Sequence, residues 1–254
     1  MNSSNTASVR AQDKDLGQRK MPQSLHEILC NPAVWRLGQI PLEKRKGIAS
    51  GYARLDQELP ENGWPVGSLI ELLTSQRGIG ELTLLAPALR SMSQEKRGIA
   101  LLAPPQIPNP RSWEAAGVSL NRLLIVEAQD TDLLWAAEQV LRSGECGLVL
   151  LWTQSTSLRY KALQRLHTAA GKGSSSCILY RHDSARTCPS PAPLRLALRS
   201  KADALEISIV KRRGSIGGIP FKVKPFPLNW GASHSPVHPE AVAAPTSELQ
   251  SLER

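Results

Sequence analysis

The residues whose types and spacing most resemble a chemically active motif lie between positions 68 and 89. They follow the order of a phosphate-binding loop. Apolar residues 69–73 predict a strand, residues 74–80 predict a glycine-containing turn, and a helical pattern begins at position 81. A working loop reads Gly-x-x-x-x-Gly-Lys-Ser/Thr, in which the amides hold phosphates and the lysine and hydroxyl bind the terminal phosphates and magnesium. In this chain the four motif positions hold Ser75, Gly80, Glu81 and Leu82, with Gly78 inside the loop. Because a carboxylate replaces the lysine, we predict a loop of this shape that does not bind nucleotides.

A second set of chemically capable residues is the basic C-terminal third. The formal net charge is +9, and residues 181–224 hold ten basic against three acidic side chains. The strand patterns there place four basic residues opposite the apolar positions and three more at the adjacent turn: Arg195, Arg199, Lys222 and Lys224, then Lys211, Arg212 and Arg213. These residues could form a face that binds single-stranded DNA through its phosphates. They could equally be a charged sheet edge that keeps the protein soluble.

Metal and cofactor chemistry has little support in the sequence. The four cysteines and five histidines do not have the spacing of a zinc site or a disulfide framework. We therefore expect neither a metal nor a cofactor. No apolar run approaches the length of a membrane span, and the polar start lacks the apolar segment of a signal peptide. The expectation is a cytoplasmic protein with no membrane partner.

The elements that would position these residues alternate between strand and helix. Short apolar runs at 69–73, 99–103, 123–126, 148–152 and 177–180 are separated by helical patterns. This alternation predicts an α/β fold with a mostly parallel central sheet and helices on both faces. From residue 194 onward, apolar and polar residues alternate one by one, which predicts a C-terminal antiparallel extension of that sheet.

Composition divides the chain into three parts. Residues 1–46 predict a disordered N-terminus, a short amphipathic helix and a linker. Residues 47–225 carry the strand and helix patterns of one domain. Residues 226–254 are rich in proline, alanine and serine without periodicity, which is typical of a flexible tail.

The order of these segments carries a family resemblance. The stretch SGYARLDQELPENGWPVGSLIELL, followed by the altered loop, GIALLAPP and LRSGECGLVLLW, resembles the core of RecA-type recombinases. More closely, it is similar to the ImuA proteins of bacterial translesion synthesis cassettes, which carry a G-W-P-x-G-x-L-x-E-L-L signature. SulA, the cell-division inhibitor of the SOS response, is a shorter relative of the same type. The resemblance implies a RecA-like P-loop fold over roughly residues 47–225.

The resemblance also allows each part of a RecA-type ATP site to be checked. The lysine and hydroxyl of the loop are replaced by Glu81 and Leu82. The catalytic carboxylate expected after the second strand falls in residues 103–106, which contain no acidic residue, and the Walker B aspartate falls on Trp152. Because phosphoryl transfer depends on charge neutralisation by lysine and magnesium, we expect a protein that is not an enzyme and does not hydrolyse ATP.

Three hypotheses for function follow. The resemblance implies a non-catalytic accessory protein of SOS-induced translesion DNA synthesis, with RecA, ImuB and an error-prone DNA polymerase as partners and single-stranded DNA as a further contact. The alternative is a SulA-like cell-division inhibitor that binds the tubulin-like FtsZ. The second alternative is a RecA-like ATPase with weak nucleotide binding.

Overall fold

The computed structural model describes residues 47–106, 108–153, 158–213 and 218–225. The predicted N-terminal helix, its linker and the C-terminal tail lie outside the described residues. The described residues fall within the segment 47–225 that the sequence predicts to be one domain.

A single eight-stranded sheet organises the described chain, in the order β3-β2-β4-β5-β1-β6-β7-β8. Strands β1 to β6 run parallel to one another, whereas β7 is antiparallel to both β6 and β8. The prediction of a mostly parallel sheet with an antiparallel extension is confirmed. The strands are β1 Leu69–Thr74, β2 Gly98–Leu102, β3 Leu123–Val126, β4 Cys146–Trp152, β5 Ser176–His182, β6 Leu194–Lys201, β7 Ala204–Arg212 and β8 Phe221–Val223.

Helices lie on both faces of the sheet because the buried parallel strands are apolar on both sides. One face packs with α1 and α2, and with the segment that contains Trp64. The other face packs with α4 and α5 over the four strands β2, β4, β5 and β1. The helices are α1 Ala53–Glu58, α2 Glu81–Gln94, α3 Pro110–Ala115, α4 Asp130–Ser143 and α5 Tyr160–Gly173, with 3-10 turns at Leu120–Arg122 and Asp183–Thr187.

Helix α5 ends later than the sequence predicts. Its glycine-rich end suggests a helix from 157 to 170 followed by a turn, yet the helix continues to Gly173 and Ser174 caps it in a left-handed conformation. A Cβ on Gly173 would lie 1.8 Å from the Leu141 carbonyl oxygen of α4. Gly173 is therefore required by helix–helix contact and not by a turn.

Within the described residues, no helix is long and apolar enough to cross a membrane.

Candidate functional site

The altered loop joins β1 to α2, so the predicted strand, loop and helix order is confirmed. The loop is closed at its start by Thr74, whose hydroxyl donates a hydrogen bond to the Gln76 carbonyl at 2.6 Å. Gly78 and Gly80 have φ angles of +73° and +99°. These left-handed values favour glycine, which explains both residues without any phosphate ligand. The exposed Ser75 stands at the first motif position.

The buried Glu81 accepts a hydrogen bond from the backbone of the loop. The Gly78 amide donates a hydrogen bond of 2.9 Å to Glu81 Oε1, and the glutamate is only 6% exposed although it lies in the first turn of α2. The amides at the start of a helix attract negative charge. The protein's own carboxylate therefore takes up an amide that a phosphate would use in a working loop.

Two aromatic rings stack at the neighbouring strand ends. Trp152 at the end of β4 stacks on Tyr180 of β5, with ring centroids 4.7 Å apart and planes 8° from parallel. The half-buried Leu82 packs against the same core. A cavity of about 520 Å³ remains between the loop, Pro104-Pro105, Trp113 and Trp152. Apolar packing therefore fills these strand ends and leaves open space beside the loop.

Several buried polar atoms beside the loop have no hydrogen-bond partner among the described residues. They are Glu81 Oε2, Thr153 Oγ1 and the Tyr180 hydroxyl, together with Nε and Nη2 of Arg181. All four residues line one smaller cavity of about 180 Å³. Burial, with a smaller contribution from Glu81, raises the pKa of Tyr180, so its hydroxyl stays protonated. This end of the sheet therefore contains several buried polar atoms, and the Tyr180 side chain there is uncharged.

A buried ion cluster is the main feature that sequence reasoning missed. Glu71 of β1 is fully buried and binds Arg181 Nη1 at 3.2 Å and Arg195 Nε at 2.7 Å. Ser190 donates a further hydrogen bond of 2.6 Å to the same carboxylate. One signal in the sequence could have revealed this cluster: Glu71 is a single acidic residue inside an otherwise apolar strand. Because a charge is buried only when it is paired, such a residue predicts a basic partner.

The prediction that Arg195 lies on an exposed basic face is wrong. Arg195 is 5% exposed, and its guanidinium also donates to the carbonyls of Ala185 at 2.7 Å and Cys188 at 3.2 Å. It does point away from the main apolar face of β6, as the alternation predicts. The 3-10 turn 183–187 and the segment after it contribute the carbonyls that surround it, and strand periodicity cannot reveal such a cover.

The other predicted basic residues do not form one free face either. Arg199 pairs with Asp183 at 3.9 Å, Arg212 with Glu58 at 2.8 Å and Lys224 with Asp203 at 2.5 Å. Lys224 donates to Asp203 and thereby lowers the pKa of that carboxyl. Lys211 and Arg212 are separated, because Lys211 reaches the Ser190 carbonyl at 2.8 Å whereas Arg212 reaches α1. Lys211, Arg213 and Lys222 are exposed and make no ion pair within the described residues.

No group of three or more histidine, cysteine or acidic side chains that could hold a metal occurs among the described residues.

Comparison with known proteins gives partial matches to SulA and to RecA. No family model matches the chain. The cell division inhibitor SulA of Pseudomonas aeruginosa is 35% identical over 79 residues, which make up 30% of this chain and 49% of SulA. RecA of Lactococcus lactis subsp. cremoris is 26% identical over 120 residues, which make up 47% of this chain and 31% of RecA. The chain is related to SulA and RecA over part of its length.

These matches limit what can be carried over. The chain spans about half the length of SulA and about a third of RecA in these alignments. The crystal structure of SulA from P. aeruginosa aligns with 31% identity over 46% of this chain and 99% of that chain, with a TM-score of 0.38. The relation to RecA and SulA expected from the sequence is confirmed at this coarse level, and the closer similarity to ImuA remains a prediction.

Proposed function

We propose that this chain is a non-enzymatic protein of the DNA-damage response that acts by binding other proteins. The observation that carries the proposal is the hydrogen bond from the Gly78 amide to Glu81, because it places a resident carboxylate where phosphate chemistry would need a free amide and a lysine. The stacking of Trp152 on Tyr180 supports it at the position of the absent Walker B aspartate. Partial relatedness to RecA and SulA supports a role in the SOS response.

The specific role that we propose is accessory function in translesion DNA synthesis. The ImuA-like signature supports it, and the partners would be RecA, ImuB and an error-prone polymerase. In this role a RecA-like domain without ATP chemistry docks on a RecA protomer and recruits the polymerase to the lesion. Deletion should lower both survival and induced mutation frequency after ultraviolet irradiation. An unchanged mutation frequency would refute the role.

The second candidate is inhibition of cell division. Its support is the similarity to a protein named as a cell division inhibitor, which shares 35% identity over 79 residues with this chain. Binding to the tubulin-like FtsZ needs only a protein-binding surface. Overexpression in the native host should then cause filamentation, and the purified chain should stop FtsZ assembly. If cells divide normally while ultraviolet mutagenesis depends on the gene, the translesion role is retained and this one is rejected.

Weak nucleotide binding is the third candidate, and the cavity of about 520 Å³ beside the loop is the observation in its favour. We expect no heat of binding when magnesium-ATP is titrated into the protein. Glu81→Ala is the matched variant, since it frees the Gly78 amide without supplying the missing lysine. Micromolar binding by the unaltered protein that loop substitution abolishes would overturn the non-enzymatic proposal.

Direct contact with single-stranded DNA would rest on Lys211, Arg213 and Lys222. These residues are exposed and outside ion pairs in the described structure, whereas Arg212 supports α1 through Glu58. Replacing Lys211, Arg213 and Lys222 with alanine should weaken binding to single-stranded DNA and reduce its salt dependence. No change in either would assign the segment to a solvated sheet edge.

A further inference from the structure

The described chain ends beside the altered loop. Strand β8 is antiparallel to β7, which is antiparallel to β6, and β6 is parallel to β1. Strand β8 therefore runs in the direction of β1, and it ends at the edge of the sheet where the loop begins. A Cβ built on Gly80 of the loop would lie 3.8 Å from Cγ of Pro225, the last described residue. Whatever follows Pro225 therefore starts directly beside the loop.

The cavity of about 520 Å³ opens at the same place, since Gly80 is one of its lining residues. Its two charged lining residues, Arg77 and Glu81, have opposite signs, so the cavity carries no net charge. Sites with mostly apolar walls and few polar groups bury apolar ligands. An uncharged, apolar occupant is therefore the one that this cavity suits. The large apolar side chains of its wall are Leu82, Pro104, Pro105, Trp113 and Trp152.

The sequence after Pro225 has the chemistry of such an occupant. It reads Phe226, Pro227, Leu228, Asn229 and Trp230, which are uncharged. A proline favours extended backbone at the residue before it, and alternate side chains of an extended chain point the same way. The three large apolar side chains stand at alternate positions. Five extended residues span about 17 Å, whereas a cube of the cavity's volume has an edge of about 8 Å, so the segment is long enough to enter it.

We propose that residues 226–230 fold over the loop and occupy this cavity, which they fill with the side chains of Phe226, Leu228 and Trp230. Because the segment is attached at Pro225, its effective concentration at the cavity is on the order of 1 mM or more. A contact too weak to hold a separate peptide would therefore keep the cavity occupied. The tail that the sequence predicts would then begin after residue 230. This inference does not depend on the proposed function.

Photocross-linking of the full chain tests the contact directly. Benzoylphenylalanine in place of Trp230 should cross-link to peptides that contain Leu82, Pro105 or Trp113, as identified by mass spectrometry. The yield should be the same from about 1 to about 100 µM protein, because both partners belong to one chain. The control carries the same photoreactive residue in place of Val242, further along the chain, and it should not cross-link to the cavity wall.

A fluorescent dye provides a second test, because anilinonaphthalene sulfonate becomes brighter in apolar sites. Trp230→Ser should raise the dye fluorescence severalfold by opening the cavity, whereas Asn229→Ser, on the other side of the extended segment, should not. Adding Leu82→Trp to Trp230→Ser should abolish the gain, since the larger ring fills the cavity. Circular dichroism should show the same fold for these variants, since Leu82 is only half-buried and positions 229 and 230 follow the last strand.

Three results would each overturn the proposal. One is dye fluorescence that is equal in Trp230→Ser and in the unaltered protein. Another is a cross-link to the cavity wall that forms as well from position 242 as from position 230. The third is a cross-link that disappears on dilution, because it would assign the cavity to a second copy of the chain.

Discussion

At the scale of single residues, the same residue type on one strand has different roles because its surroundings differ. Arg195 and Arg199 lie on the same face of β6, and the alternation of the sequence treats them alike. Arg195 is buried against Glu71 and three carbonyl oxygens, whereas the Arg199 side chain is 58% exposed and reaches Asp183 only at 3.9 Å. A buried charge that loses its partner is costly, and an exposed pair contributes little.

This difference predicts unequal costs for two matched substitutions. Arg195→Ala should lower the free energy of unfolding by about 3 kcal/mol, because Glu71 keeps only Arg181 and Ser190. Arg199→Ala should cost less than about 1 kcal/mol. Urea denaturation measures both values. Equally small losses of unfolding free energy for both variants would show that the buried cluster does not support the sheet. If Arg195→Ala does not fold, Glu71→Gln is the second variant for the same test.

At the scale of elements, the central strand and helix α5 are joined by a titratable contact. The Leu69 amide at the start of β1 donates a hydrogen bond of 3.3 Å to Nδ1 of His167. Simple helical patterning places this histidine toward solvent, yet it is half-buried. Burial lowers its pKa from 6.5, and the positive charge of Lys211 lowers it further. The neutral ring is therefore the form that holds the strand and helix together.

A dependence of stability on pH follows from this contact. Because the pKa of His167 is lower in the folded than in the unfolded chain, the unfolded chain binds more protons below pH 6.5. The contribution is present above that pH and is lost as the pH falls below it, since a protonated Nδ1 cannot accept the Leu69 hydrogen bond. His167→Asn should remove this pH-dependent contribution to stability. Between pH 7 and pH 5, an interval of about two units around the ordinary histidine pKa, the stability of the variant should therefore fall less than that of the unaltered protein. Denaturation midpoints at several pH values check this, and parallel curves for both proteins would contradict it.

At the scale of the whole molecule, the net charge of +9 overstates the charge available to a polyanion. Four of the seven basic residues predicted to face DNA are in ion pairs: Arg195, Arg199, Arg212 and Lys224. Net charge governs association at long range, whereas contact with phosphates requires exposed cations that are not already neutralised. We therefore expect a small capacity for DNA, limited to the three remaining residues Lys211, Arg213 and Lys222.

The salt dependence of DNA binding measures how many phosphates the chain neutralises. Each phosphate neutralised on a single strand contributes about 0.7 to the slope of log K against log salt, so three free cations predict a slope near about −2. Fluorescence anisotropy with a labelled oligonucleotide at several salt concentrations measures the slope for the full chain. A slope steeper than about −4 would show that paired residues or other parts of the chain also bind phosphates.

Local sequence patterns were enough to predict the α/β class, the parallel sheet with its antiparallel end, and the loop between β1 and α2. These features follow from side-chain periodicity and from glycines that adopt positive φ angles, which are properties of adjacent residues. The absence of the lysine, the hydroxyl and the Walker B aspartate can also be read directly from residue types.

The tertiary structure decided which charges are free and which are neutralised. Glu71, Arg181 and Arg195 are distant in sequence but meet because β5 and β6 lie on either side of β1. Likewise, Trp152 meets Tyr180 only because β4 lies beside β5. Residue spacing along one strand gives the direction of a side chain, but it cannot give the element that covers it. For this reason the sequence alone determined the scaffold and its altered loop, whereas strand order and packing decided which basic residues remain accessible to a partner.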